Sequence, residues 1–362
     1  MSDAASETVE GRNPLHTRLV DLLGCQYPIV QTGMGWVSGA HLTAATSAAG
    51  GFGILASITM TDQQFRDAVA SVKEKTDAPF GANFRAGQPD LDQRIAFATS
   101  QGVRLFSFAG APTKDAIAKI HDAGGLVMPT VGARRHAEKM AEWGVDAVIA
   151  QGGEGGGHTG SVPTSLLLPQ VVEAVGGAIP VVGAGGFHSG QGLVAALAYG
   201  ADGIAMGTRF LLTQESRVPD SIKADYTKAS VFDTVVTTAL DGAPQRVIRT
   251  ELIDTLEKSS IFTRMPRAAF KAVEFAKLTG TGVKQMVSEG LAMRKSQDLT
   301  WSQLAMAANA PMLIKAALVD GDASVGVLPT GQVVGVIDEL PSVAGVIDTI
   351  IADARVTLAR LS

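Results

Sequence analysis

Between Pro28 and about Leu212 the chain alternates short apolar runs with longer amphipathic, alanine-rich segments. Runs at Ile29–Val30, Gly53–Ala56, Phe80–Phe84, Leu105–Phe108, Leu126–Pro129, Ala147–Ala150, Pro180–Gly183 and Gly203–Met206 predict eight strands. Helical patterns at 40–49, 62–74, 90–100, 113–123, 134–143, 165–175 and 190–199 fit between most of them. Such alternation predicts parallel pairing with right-handed crossovers. Short continuous apolar strands predict a sheet buried on both faces. A closed (β/α)8 TIM barrel is favoured over a doubly wound open sheet. Polar and glycine-rich breaks follow nearly every strand, at the end where a barrel carries its active-site loops. After Phe210 the alternation stops, and residues 214–330 read mostly helical. An amphipathic helix returns at about 342–360, after a Gly331–Gln332 turn. The expected organisation is a flexible tail at 1–13 and an α/β barrel at 14–213. A mostly helical subdomain at 214–330 follows near the barrel mouth, and 331–362 packs back on the barrel.

Composition narrows the class. The 362 residues are 46% hydrophobic and 18% charged, enough to build a core and too apolar for disorder over most of the chain. A formal net charge of −5 excludes nucleic-acid binding by bulk charge. The single cysteine, Cys25, excludes a disulfide framework and a cysteine-rich zinc site. No apolar run reaches membrane-spanning length, and the polar start (Ser2, Asp3, Glu7, Glu10) is unlike a signal peptide. A soluble cytoplasmic protein without membrane contact is expected. No histidine pair has metal-ligand spacing on one helix face, so no catalytic metal is expected. Charge is unevenly spread. Residues 264–295 carry seven basic and two acidic side chains, a local +5. Such a run is either a solvated helical face or a site for an anionic group.

The glycines carry the functional signal. Gln31-Thr32-Gly33-Met34 follows the first strand, where a glutamine amide can read a heterocycle edge and glycine admits close approach. Asn83 ends the third strand, pointing toward a barrel mouth. Gln151–Gly160 holds six glycines in ten residues, costly to order and poor as filler. Within it, His158 can act as a general acid or base near neutrality. Glu154 competes for that role, since burial can tune a glutamate upward. Gly185, Gly186, Gly207 and Thr208 follow the seventh and eighth strands, where barrels bind phosphate. No nucleotide P-loop or dinucleotide fingerprint is present. The residues alone fit a flavin mononucleotide or a sugar-phosphate.

Gln31–Met34, Gly81–Asn83, Gln151–Gly160, Gly183–Gly186 and Gly207–Phe210 together resemble the nitronate monooxygenase (2-nitropropane dioxygenase-like) family of FMN barrels. The Gly-Gly-His-x-Gly loop is shared with flavin-dependent enoyl-thioester reductases. Outside the barrel, Arg246–Leu252, Leu299–Gln303, Ala307–Leu313 and Leu318–Gly321 are similar to actinobacterial flavin-dependent dehydrogenases of steroid C/D-ring breakdown. The resemblance implies FMN held by Gln31, Gly33, Met34, Asn83, Gln151, Gly156, Gly157, Gly185, Gly186, Gly207, Thr208 and Gln332. It implies α,β-desaturation of a bicyclic steroid-derived CoA thioester, with α-proton removal by His158 or Glu154 and hydride transfer to flavin. Arg264, Arg267, Lys271, Lys284, Arg294 and Lys295 would bind the CoA phosphates. The electron acceptor is unspecified, and a homo-oligomer is compatible with the sequence. The alternatives are a nitronate monooxygenase using O2, an enoyl-thioester reductase, and a flavin-free barrel binding a phosphorylated metabolite. Gly33 stands where nitronate monooxygenases often show proline, which counts against a nitroalkane substrate.

Overall fold

The computed structural model describes residues 13–258 and 310–362. Helix α1 (Arg18–Leu23) leads into strand β1 (Ile29–Gln31). Then come α2 (Ala40–Ala48), β2 (Phe52–Ala56), α3 (Asp62–Lys73), β3 (Gly81–Phe84), α4 (Leu91–Ser100) and β4 (Leu105–Phe108). The alternation continues through α5 (Lys114–Asp122), β5 (Leu126–Val131), α6 (Arg134–Glu142) and β6 (Val148–Gln151). A two-residue strand, β7 (Gly157–His158), precedes α7 (Thr164–Val175), β8 (Val181–Ala184), α8 (Gly190–Ala198) and β9 (Gly203–Met206). The eight strands expected from the apolar runs close a parallel barrel in the order β1-β2-β3-β4-β5-β6-β8-β9. Closure is made by β1 on β9, with Ile29 opposite Ile204 and Gln31 opposite Met206.

Side chains alternate between two cores, as the period of two requires. Val30, Phe52, Ile54, Leu105, Ile149 and Val182 fill the barrel interior. Ile29, Leu55, Phe106 and Val181 face the surrounding helices. Helix α1, which the strand–helix pattern does not mark, adds Leu19 and Leu23 to the interior core. It is pinned there by Asp202. That carboxylate accepts two bonds from Arg18, both at 2.9 Å, and one from the Val181 amide at 3.0 Å.

Beyond β9 the chain leaves the barrel through α9 (Thr208–Leu211) and α10 (Asp220–Lys228). Strands β10 (Thr234–Thr237) and β11 (Gln245–Ile248) follow, then α11 (Glu251–Lys258) and, after the undescribed stretch, α12 (Ala310–Leu318). The chain returns as α13 (Val343–Leu361), which packs on α8 and α2 and so completes the ring of helices. The segment read as mostly helical thus contains two strands that the pattern does not mark. They pair antiparallel with each other, and β11 pairs with β7, forming a three-stranded sheet. These strands are four residues long and β10 is only partly buried, so they leave little apolar signal. Leu240, Val247, Ile253, Ala310 and Val327 form a small core of their own beside the hairpin. No described helix is long and apolar enough to cross a membrane.

Replacing Asp202 by alanine should leave the buried Val181 amide unpaired and unpin α1. The expected loss is about 1–3 kcal/mol of stability, read as a lower urea midpoint with an unchanged slope.

Candidate active site

All barrel strands run in one direction, so their C-terminal ends share one mouth. Asn83 and Gln151 occupy inward positions of the alternation there, next to outward Ala82 and Ala150. Gln31 is fully buried at the end of β1. Its amide nitrogen donates to Ser38 Oγ at 2.8 Å and contacts the Thr32 carbonyl. The Gln31 Oε1 and Asn83 Oδ1 atoms are buried without a hydrogen-bond partner among the described residues. Buried acceptors left open are costly and rare. The Asn83 oxygen, on an inward position, fits a ligand that brings an N–H or O–H donor to the mouth, whereas Gln31 stands in register with the helix-facing Met206.

The structure draws the other loops together. A side chain on Gly33 would strike the Asn83 Cβ at 2.4 Å, so the first loop lies directly against Asn83. Met34 Sδ lies 3.2 Å from where a Gly207 side chain would begin. Gly185 and Gly186, with φ of +96° and +82°, turn the chain after β8 in a region that favours glycine. Thr208 begins α9, and its hydroxyl accepts from the Gly331 amide at 3.0 Å. The Gly331–Gln332 turn therefore reaches the mouth, and the Gln332 amide donates to the Glu154 carbonyl at 3.0 Å.

The glycine-rich loop is held from several sides. Gln151 donates through its side chain to the His158 carbonyl at 2.7 Å. Gly156 lies against the backbone of Thr330 and Gly331, where a side chain would come within 2.5 Å. Gly157 pairs with Arg246 and His158 with Gln245 across β7 and β11. The Glu154 carboxylate accepts from the Thr164 amide at 2.9 Å and from its hydroxyl at 2.7 Å. It thereby satisfies the start of α7, where negative charge also meets the helix dipole. Glu154 is committed to this contact.

His158 is different. Its side chain is 67% exposed, and its Nε2 lies 2.7 Å from Asp241 Oδ2, itself 9% exposed. Sequence reasoning misses Asp241 and Gln245, because they belong to the unrecognised hairpin. The signal available is the Asp241-Gly242 pair between two short Val-containing runs, a hairpin-turn dipeptide.

Beside this loop lies a cavity of about 600 Å³ walled by Glu154, Ser161, Pro163, Val236, Arg246 and Gln332. Arg246 spans it, donating to the Gly153 carbonyl at 2.9 Å and to Thr234 Oγ1 at 3.0 Å. Burial pulls its guanidinium pKa down, and the Glu154 charge works against that shift. On the other flank, burial and then Arg209 hold the His188 imidazole below its usual range. A second cavity, of about 440 Å³ beside Phe80, Arg104 and Gly124, lies at the opposite end of the strands and shares none of these residues. Arg264, Arg267, Lys271, Lys284, Arg294 and Lys295 lie outside the described residues.

A closed parallel barrel with glycine-rich loops and a buried, unpartnered Asn83 oxygen at its mouth is the class of protein that the fold and site define. Residues 16–353 match the nitronate monooxygenase family, and the chain belongs to it. That family is one of flavin enzymes. The chain is 54% identical to the (3aS,4S,5R,7aS)-5-hydroxy-7a-methyl-1-oxo-octahydro-1H-indene-4-carboxyl-CoA dehydrogenase of Rhodococcus jostii RHA1, over 94% of this chain and 96% of that one. It is 52% identical to the protein of the same name from Mycobacterium tuberculosis, again over 94% and 96%. Among solved structures, FabK from Thermotoga maritima aligns with a TM-score of 0.75 and 33% identity, covering 96% of this chain and 98% of that one.

Removing the Glu154 carboxylate should loosen the start of α7. Glu154→Ala is expected to cost about 1–2 kcal/mol. Glu154→Gln, which keeps an acceptor for the Thr164 amide, should cost less in the same urea titration.

Proposed function

We propose that the protein is an FMN-dependent dehydrogenase that desaturates a bicyclic, steroid-derived CoA thioester between its α and β carbons. The observation that carries the substrate class is the similarity to dehydrogenases of that name over 94% of the chain, hairpin included. The orphaned Asn83 oxygen fits a flavin ring, with Gln31 buried at the end of β1, and Gly185, Gly186, Gly207 and Thr208 fit its phosphate. Gly33, Met34 and Gln151 close around the same mouth, and Gln332 reaches it from the far side. Bound there, FMN supplies a two-electron acceptor for the β hydrogen.

The protein's own contribution is the proton. A thioester makes its α carbon acidic, and a neutral imidazole on the rim can take that proton. His158 is the base in this reading, because Glu154 already satisfies the start of α7. The exposure of His158 also bears on substrate size. A small nitroalkane inside the barrel would leave the imidazole in water. A bicyclic thioester trailing a CoA chain across the rim would cover it, strengthening the base's interaction with the developing charge. The family match keeps one second reading, oxidation of alkyl nitronates with O2.

Anaerobic titration of the purified protein with the bicyclic CoA ester should bleach the oxidised-flavin absorbance stoichiometrically. An unbleached flavin that an alkyl nitronate does bleach would replace the dehydrogenase reading with the monooxygenase one. The basic segment makes a separate expectation. Charge reversals at Arg264, Arg267 and Lys271 should raise KM for the CoA ester with little change in kcat, a loss of uniform binding. An unchanged KM would remove the CoA-phosphate role from that segment.

A further inference from the structure

The structure assigns Asp241 as the residue that sets the tautomer and orientation of His158. The inference rests on His158 being the base. Asp241 lies 83 positions away in the turn between β10 and β11. Its carboxylate is nearly buried and carries three donors. Oδ1 accepts the Ala243 amide at 3.1 Å. Oδ2 accepts the Gln245 side-chain amide at 2.6 Å and faces His158 Nε2 at 2.7 Å.

These contacts leave one consistent proton arrangement. An ionised carboxylate only accepts. The Gln245 group at 2.6 Å from it is therefore the –NH2, and His158 Nε2 must carry a hydrogen. The 3.3 Å approach between Gln245 Nε2 and His158 Nε2 then joins two donors that share one acceptor, and is no bond between them. With Nε2 protonated, the lone pair of the neutral ring sits on Nδ1. That atom makes no hydrogen bond among the described residues and is free to take a proton. When it does, the positive imidazolium faces Asp241, which stabilises it. The pairing of His158 with Gln245 across the two strands fixes the backbone on which this geometry stands.

A plain surface ion pair is the competing explanation, and such pairs contribute little. The arrangement here differs in its asymmetry. The imidazole is exposed, whereas the carboxylate is nearly buried and held by two further donors of its own hairpin. A carboxylate so fixed before the histidine reaches it is built to orient its partner. Asp241 acts through His158 and is a positioning residue.

The test uses FMN-loaded enzyme and three variants: Asp241→Asn, Asp241→Glu and His158→Ala. An asparagine in place of Asp241 would offer the ring an amide donor as readily as an acceptor, so the tautomer is no longer imposed. Nitrogen-15 spectra of the labelled histidine, read without turnover, should show the Nε2–H form in the parent and its loss in D241N. With the CoA ester, kcat of D241N should fall by about 10²–10⁴-fold, with KM changed less than about threefold. The D241E variant should recover part of the rate, and FMN affinity should stay at the parent value in all three. If H158A is inactive but D241N keeps the parent rate and tautomer, Asp241 is a surface partner and the inference is overturned while the base reading stands. If H158A retains the parent rate, the base reading falls, and the positioning role falls with it.

Discussion

The glycine-rich loop that carries His158 depends on the pairing of β7 with β11 as much as on the barrel. A loop with six glycines in ten residues has few side chains to pack and much entropy to lose on ordering. It is ordered here by backbone and side-chain bonds that come largely from elsewhere in the chain. Gly152 donates to Ala184 at 2.9 Å, Gly153 to Val162 at 2.7 Å, and Thr159 to Pro244 at 3.1 Å. The Arg246 guanidinium holds the Gly153 carbonyl, and the 331–332 turn holds the Glu154 carbonyl. Glycine is what lets those segments come so close. At Gly156 a methyl group would already meet the Gly331 amide. The loop is a junction between barrel and excursion, and neither part orders it alone.

This explains how much can be read from the sequence. The barrel is legible because most of its strands are buried on both faces, so that β2, β8 and β9 read as unbroken apolar runs. Loop residues such as Gln31, Asn83 and Gly185 are legible because their strand ends fix where they stand. The hairpin is not. Its strands are short, and Val235 and Val236 are only partly covered. Its turn, from Thr238 to Pro244, is longer than the two-residue turn that Asp-Gly usually marks. Asp241 therefore has no visible tie to His158. Glu154 presents the opposite case. Its sequence setting suits a tuned base, and only the fold shows the Thr164 amide ten positions on, waiting for an acceptor.

The split between barrel and excursion is also a division of chemical labour. The residues proposed to hold the flavin stand at or just beyond the ends of barrel strands, apart from Gln332, and their spacing is fixed by the closed sheet. What surrounds the candidate base comes from outside the barrel: Asp241, Gln245 and Arg246 from the hairpin region, and Gln332 from the chain's return. A fold built this way can change its rim without disturbing the barrel floor, because the rim is a separate piece with its own small core of Leu240, Val247 and Ile253.

The same logic connects the two activities that the relationships suggest. Oxidising a nitronate's parent nitroalkane and desaturating a thioester both begin at a carbon made acidic by a neighbouring electron-withdrawing group. A histidine that takes a carbon-bound proton beside a flavin serves either. The difference lies in what must cover the histidine. A ring two-thirds exposed in the free protein works in a dry site only once something bound over it excludes water. A large thioester lying across the rim meets that demand, whereas a small nitroalkane needs the protein to supply the cover.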